Sequence, residues 1–186
     1  MRFVVTLLLL GFCARAQPGE RNTLTFSGGI SRPLNGYSYE NATVAALGGG
    51  YSFRLMTNAE LEAGVFVALN PLPALCNASG CYGGDNRFYW VPFGGSFVVP
   101  TERDRVEFSL GAGGLYQRFS ISNPNTAFGQ ESYSAWGGYA VAGAKVALDR
   151  ARHFWLGATP RFLLANGGNR GSRWFFLFTG DVGFRF

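Results

Sequence analysis

Charged residues are scarce in this chain of 186 residues, at 15% of the total, and lysine occurs only at Lys145. Low charge together with 16% aromatic residues excludes an intrinsically disordered chain, which would be poor in aromatics and rich in charge. A helical bundle is disfavoured, because the 27 glycines run through the hydrophobic segments and each costs about 1 kcal/mol inside a helix relative to alanine. High glycine and aromatic content suits instead a β protein whose surface does not face water everywhere.

The first sixteen residues have the pattern of a secretory signal peptide. Arg2 forms a short positive region, residues 3–12 are an apolar run of ten, and Ala14-Arg15-Ala16 is a small-x-small cleavage site. Ten apolar residues are too few for a transmembrane helix, which needs about 20. A lipoprotein leader cut before Cys13 is the alternative, although Phe12 is not the small residue that such a site requires.

Cleavage before Gln17 would leave a single domain of residues 17–186. Loss of Arg2 and Arg15 leaves 14 basic against 11 acidic residues, a net charge of +3. That charge is too weak and dispersed to favour a nucleic-acid partner. No remaining segment approaches the 18 apolar residues that indicate a membrane helix.

The mature chain would keep two cysteines, Cys76 and Cys81, in a stretch rich in proline, glycine and asparagine. An even pair in an exported chain predicts a disulfide that pins the tip of a loop. Two thiolates with no histidine nearby make a poor zinc site, which normally needs four ligands. We therefore expect no metal and no cofactor.

Alternation of apolar and polar residues, the signal of a half-buried strand, predicts eight strands. Each is about 10 to 16 residues long, enough for the 9 to 11 residues that a membrane barrel strand needs to cross a bilayer. The predicted strands are 22–31, 43–54, 59–69, 88–99, 105–119, 133–148, 153–164 and 173–186.

The alternation does not by itself show which face points inward. In the fifth strand Val106, Phe108 and Leu110 oppose Arg105 and Glu107. A soluble lipocalin-like barrel would turn the apolar face to its core, whereas an outer-membrane barrel turns it to lipid and lines its lumen with the polar face.

The lengths of the connections favour the membrane barrel. Long and short connections alternate along the chain, as the extracellular loops and periplasmic turns of outer-membrane barrels do. The longer ones are 32–42, 70–87, 120–132 and 165–172, and the short ones are 55–58, 100–104 and 149–152.

The polar face carries charges of both signs, which a narrow lumen could pair. An eight-stranded barrel has a lumen just wide enough for side chains to fill, so we predict an ionic network that plugs it. Its members are Arg54, Glu60, Glu62, Arg105, Glu107, Lys145, Arg161, Asp181 and Arg185.

Aromatic residues gather at the predicted strand ends and predict girdles at the two membrane interfaces. The groups include Phe88 to Trp90, Phe154 with Trp155, and Trp174 to Phe176.

The final residues carry a more specific resemblance. Asp181-Val182-Gly183-Phe184-Arg185-Phe186 alternates and ends in phenylalanine, and so resembles the C-terminal signal of bacterial outer-membrane β-barrels. The whole chain looks like a small barrel of the OmpA, OmpX or OmpW type. The resemblance implies an all-β, eight-stranded antiparallel up-and-down transmembrane barrel in the outer membrane. It also implies contact with membrane lipid and recognition of Phe184 and Phe186 by the barrel assembly machinery.

The function expected of such a barrel is non-enzymatic, a structural or surface-interaction role in which long extracellular loops contact a ligand or a surface. Two alternatives stay open. One is a secreted lipocalin-like carrier of an apolar ligand. The other is an enzyme that modifies lipid A, for which His153 is the only histidine, although it lacks the His-x-Ser arrangement of the deacylase type.

Overall fold

The computed structural model describes residues 21–34, 43–69, 75–77, 80–82, 86–101, 105–122, 130–166 and 172–186. Among these residues there is no helix with the length and apolarity needed to span a bilayer. The predicted signal peptide, residues 1–16, lies outside the described residues.

Ten strands form in the described residues, and eight of them close a barrel. Around the barrel the order is β1-β2-β3-β6-β7-β8-β9-β10, every pair is antiparallel, and β10 pairs with β1. The strands are β1 (Asn22–Pro33), β2 (Val44–Met56), β3 (Ala59–Leu69), β4 (Leu75–Asn77), β5 (Gly80–Tyr82), β6 (Asn86–Pro100), β7 (Val106–Ser122), β8 (Gln130–Ala147), β9 (Phe154–Asn166) and β10 (Ser172–Arg185).

The predicted eight-stranded up-and-down barrel is confirmed, and no strand boundary differs from its predicted position by more than three residues. The sequence did not predict the small hairpin of β4 and β5, which lies inside the long connection 70–85. In that hairpin Cys76 and Cys81 are direct register partners. Opposed antiparallel residues have Cα atoms about 4.5–5.5 Å apart, within the range that a disulfide bridges, and the disulfide stays a prediction.

The two ends of the barrel differ in their connections. At one end, the turn end, the strands are joined by residues 57–58, 101–105 and 148–153. At the other, the loop end, they are joined by 34–43, 70–85, 123–129 and 167–171. Both β1 and β10 have their outer termini at the turn end. The predicted alternation of long and short connections holds from 34–43 to 101–105, whereas the last three connections are similar in length, with seven positions at 123–129, six at 148–153 and five at 167–171.

The turn of residues 148–153 shows how a short connection is held. The carboxylate of Asp149 accepts a hydrogen bond of 3.0 Å from the backbone N–H of Phe154, and this bond holds the pKa of Asp149 below its usual range. Arg152 has a φ of 64°, the left-handed conformation that reverses the chain.

The apolar face of the strands points away from the barrel. On β7, Phe108 and Leu110 are 52% and 68% exposed, whereas Glu107, directly before Phe108, is 3% exposed. The same alternation runs through β10, where Phe178 and Val182 are exposed and Asp181 is buried. Large apolar side chains on the outside include Phe26, Ile30, Leu47, Leu61, Val65, Phe97, Phe162 and Phe184.

The lumen near the loop end is lined by apolar side chains, several of which were expected in the aromatic girdles. Phe88, Trp90, Trp155 and Phe175, all assigned to the girdles, are at most 2% exposed and lie inside the barrel. Three of them pack together: the ring centroid of Phe88 is 5.7 Å from that of Trp90, with the two rings parallel, and 4.9 Å from that of Phe175, whose ring is tilted. We call the set at the loop end the apolar plug: Phe88, Trp90, Leu115, Phe119, Leu163, Phe175 and Leu177.

The girdle prediction was wrong at these positions because aromatic residues occupy both faces of the strands that carry them. Phe88 and Trp90 flank Tyr89, and only Tyr89 points outward. An eight-stranded lumen must be filled, and near the loop end aromatic and aliphatic side chains fill it.

Candidate functional site

Five charged side chains meet inside the barrel near the turn end. We call them the ionic cluster: Arg54, Glu60, Glu107, Lys145 and Arg185. Strand register brings them together, because the tight turn at residues 57–58 pairs Arg54 with Glu60 and the β7–β8 ladder pairs Glu107 with Lys145.

Glu107 is the centre of the ionic cluster. Its carboxylate accepts two hydrogen bonds from the Arg54 guanidinium, at 2.9 and 2.8 Å. It also accepts two from the Arg185 guanidinium, at 3.4 and 3.0 Å, and Lys145 Nζ lies 3.4 Å away. Paired N–H donors on one carboxylate are the strongest ion-pair geometry in proteins, so this carboxylate links three cations.

Glu60 completes the ionic cluster from the neighbouring strand pair. It accepts from Arg54 at 3.1 Å and from Lys145 at 3.2 Å. Glu60 and Glu107 are 5% and 3% exposed. Two enclosed carboxylates therefore hold three cations, and each carboxylate is shared.

An inward-facing tryptophan packs against the ionic cluster. Arg185 stacks on the ring of Trp155, with its guanidinium carbon 4.3 Å from the ring centroid, and Lys145 Nζ lies 5.8 Å from the same centroid. The indole N–H donates to the backbone carbonyl of Arg152 at 2.6 Å. Cations over an aromatic face are attracted to it, so Trp155 fixes two members of the cluster from the turn end.

Three other charged residues of the predicted network also face inward, closer to the loop end than the ionic cluster. They are Glu62, Arg161 and Asp181. Tyr139 donates to Glu62 at 2.8 Å, and Arg161 donates to Thr179 at 2.9 Å. Thr159 donates to Asp181. The guanidinium carbon of Arg161 is 4.5 Å from the ring centroid of Phe66. These groups are held by hydroxyl donors and acceptors rather than by the close ion pairs of the ionic cluster.

Arg105 does not join the ionic cluster. It is exposed at the turn end, where its backbone carbonyl accepts a hydrogen bond of 2.7 Å from Ala147. Its position before the first residue of β7 takes it out of the barrel wall, although its parity along the strand matches Glu107.

A cavity of about 110 Å³ lies beside the ionic cluster, and Glu60 and Lys145 of that cluster line it. Its walls are mixed, with Glu62, Lys145 and Asp181 beside the hydroxyls of Ser27 and Thr159. A polar cavity of this size accommodates a few water molecules. No group of three or more metal-ligating side chains occurs in the described part of the chain.

His153 lies in the turn before β9. Its Nδ1 atom is 3.4 Å from the carboxylate of Asp149, and its side chain is 40% exposed. Its ring centroid is 6.2 Å from that of Phe184. The histidine thus packs within a short turn at the end of the barrel.

Phe184 and Phe186, the residues of the expected assembly signal, face outward at the turn end and are 41% and 52% exposed. The backbone of Phe186 exchanges hydrogen bonds of 3.0 and 2.9 Å with Asn22. The last residue therefore closes the barrel at its β1–β10 seam.

Comparison with known proteins identifies the fold. No protein-family model matches the sequence, and no curated protein matches it. Neisserial surface protein A, NspA, has a similar structure with a TM-score of 0.68 and 14% identity, over 89% of this chain and 97% of that chain. Ail, the attachment invasion locus protein of Yersinia pestis, gives 0.60 and 12% over 90% and 99%. OprG from Pseudomonas aeruginosa gives 0.57 and 12% over 91% and 99%.

The chain therefore has the fold of the small eight-stranded outer-membrane β-barrels, as its resemblance to them implied. Its outward apolar band is the surface that a bilayer covers and its charges are enclosed, the reverse of a soluble carrier. Fold and outward surface together identify a transmembrane barrel of the bacterial outer membrane.

Proposed function

We propose that this protein is a non-enzymatic barrel with a structural or surface-interaction role, whose lumen is closed to solutes and whose activity lies at the loop end. The observation that carries the proposal is the double closure of the lumen. The ionic cluster fills it near the turn end, and the apolar plug fills it near the loop end.

The two closures are chemically different, which makes the seal robust. The apolar plug would block the passage of ions, because Trp90 and Leu115 within it are completely buried and charge is poorly solvated among apolar side chains. The ionic cluster would block the passage of small polar solutes, because its two carboxylates already accept hydrogen bonds from its own cations.

The loop end is where the chain departs from a minimal barrel. The turn end uses as few as two residues to join strands, at 57–58, whereas 34–43 and 70–85 span ten and sixteen positions. Long connections of outer-membrane barrels face the outside. These connections would present any ligand-binding or surface-binding activity.

The same proposal includes three features that the sequence predicts. Residues 1–16 direct export, Cys76 and Cys81 form a disulfide in the long connection, and Phe184 with Phe186 engages the barrel assembly machinery. The direct pairing of the two cysteines and the outward exposure of the two phenylalanines support the last two.

Single-channel recording tests the closed lumen. The purified mature chain, inserted in planar bilayers at neutral pH, should give no large and stable open channel, because both closures must move before a continuous pore exists. A trimeric porin recorded in the same chamber is the control for bilayer quality. Long-lived openings of porin size would refute the closed lumen.

A further inference from the structure

The outward-facing charges on the described strands are all positive and lie at the loop end. Among the described strand residues that face outward, the charged ones are Arg32, Arg87 and Arg118, and all three are exposed. Each lies near the loop end of its strand, beyond the apolar band. Arginine at a bilayer interface costs little, about 0–1 kcal/mol, whereas at the midplane it costs about 2–4 kcal/mol.

Two of these arginines are neighbours across a strand pair. Arg118 on β7 is the register partner of Tyr89 on β6, and Arg87 is the partner of Ser120. Arg87 and Arg118 are therefore diagonal neighbours on the outer face, about 7–8 Å apart. Two guanidinium groups at that spacing can converge on one anion of the size of phosphate, which arginine binds with paired N–H donors.

A row of serines extends the polar surface onto β8. Ser120 pairs with Ser132, and Arg118 pairs with Ser134. Ser132 and Ser134 are exposed on the same outward face. Hydroxyl groups donate and accept hydrogen bonds, so the patch is suited to a headgroup that carries hydroxyls or ester oxygens beside its phosphate.

The surface changes character one step below the arginines. Tyr116 and Trp136 are register partners with ring centroids 5.1 Å apart, and Trp136 is 65% exposed. Tyrosine and tryptophan are enriched at the level of lipid headgroups. Their position marks the membrane interface directly under the charged and hydroxyl groups.

Below the aromatic pair, the outward-facing residues of β7 and β8 are small and apolar. Gly114 pairs with Gly138, and Ala112 pairs with Ala140, so nothing larger than a methyl group projects from β7 or β8 at these levels. The ring of Phe93 lies across Gly114, where a Cβ atom would come within 2.5 Å of it. Beside that ring, the small residues Ala112 and Ala140 leave room for an acyl chain to lie against the barrel wall.

We propose that the outer face of β6, β7 and β8 is a binding site for one phosphate-bearing lipid of the leaflet at the loop end. Arg87 and Arg118 bind the phosphate, the serines bind the headgroup, and an acyl chain runs over Ala112 and Ala140. The order of chemistry along the strands, from cations through interfacial aromatics to small apolar residues, matches the order of chemistry along such a lipid. The inference rests on the proposed membrane location but not on the closed lumen.

Native mass spectrometry of the full chain in detergent micelles tests the site. Phosphatidic acid and phosphatidylcholine with identical acyl chains are the probes. We expect the unaltered protein to retain phosphatidic acid about tenfold better than phosphatidylcholine. R87Q/R118Q should retain phosphatidic acid about tenfold less than the unaltered protein does, with its retention of phosphatidylcholine unchanged. R87K/R118K keeps the charge without the paired donors, and should fall between the two.

R105Q/R150Q is the matched control, because it removes two exposed arginines at the turn end. It should retain phosphatidic acid as the unaltered protein does. Equal retention by R87Q/R118Q and the unaltered protein, or equal loss in the control, would overturn the lipid site. Open channels in planar bilayers would refute the closed lumen and leave this result standing, so the two failures are distinguishable.

Discussion

Replacing Glu107 by glutamine should lower the free energy of unfolding by about 3–5 kcal/mol, the range for breaking an enclosed ion pair from one side. Glu107 is 3% exposed and accepts hydrogen bonds from Arg54 and Arg185. Without its charge, Arg54, Lys145 and Arg185 would be left with Glu60 alone. Urea unfolding in lipid vesicles, followed by tryptophan fluorescence, measures the loss.

Two further variants give this prediction its controls. R150Q removes a charge from an exposed turn position and should change the free energy of unfolding by less than about 0.5 kcal/mol. E107Q/R185Q removes a cation together with the anion and should be more stable than E107Q, because fewer uncompensated charges remain. An E107Q protein as stable as R150Q would show that the ionic cluster contributes nothing to stability.

Replacing Leu110 by arginine should cost about 2–4 kcal/mol in a bilayer, the expected penalty for a lipid-facing arginine near the midplane. Leu110 is 68% exposed and lies within the outward apolar stretch of β7 between Val106 and Tyr116. In a water-soluble barrel the same exposed substitution would change stability by no more than about 0.5 kcal/mol. The free energy of unfolding in vesicles therefore separates the two environments.

The matched control for this substitution is S134R. Ser134 also faces outward, but it lies at the loop end beside Arg118, where arginine should cost about 0–1 kcal/mol. Equal effects of L110R and S134R would contradict a membrane-facing band whose polarity depends on depth.

Strand positions and faces could be predicted from the sequence because alternation is a local signal. Leu61, Val65 and Leu69 fall on one face of a strand and Glu60 and Glu62 on the other, and this alternation is visible without knowledge of the neighbouring strands. Closure of eight such strands followed from their length and from the alternation of long and short connections. The direct pairing of Glu107 with Lys145 needed the register between strands, which one sequence does not contain.

The parts that sequence reasoning missed depend on neighbours in space. Phe88, Trp90 and Phe175 were assigned to the membrane interfaces, because an aromatic residue near a strand end fits that role as well as it fits a lumen. Their common position inside the barrel depends on the meeting of β6 and β10 across the lumen. Arg105 had the parity of the ionic cluster, and its exclusion depends on where β7 begins, one residue later.

The arginine and serine patch also needed the register. Arg87 and Arg118 are 31 positions apart in the sequence, and neither stands out in a chain whose arginines are dispersed. Only the antiparallel pairing of β6 with β7 makes them neighbours on one face.

Spin-label accessibility in vesicles is the most direct test of which face meets lipid. Single labels would be placed by Leu110→Cys, Phe178→Cys and Ser134→Cys, each in a chain that carries C76S and C81S. Labels at Leu110 and Phe178 should collide with molecular oxygen, which concentrates in the bilayer, and be shielded from a water-soluble nickel complex, whereas the label at Ser134 should meet the nickel complex. Nickel accessibility at Leu110 and Phe178 equal to that at Ser134 would contradict the membrane barrel.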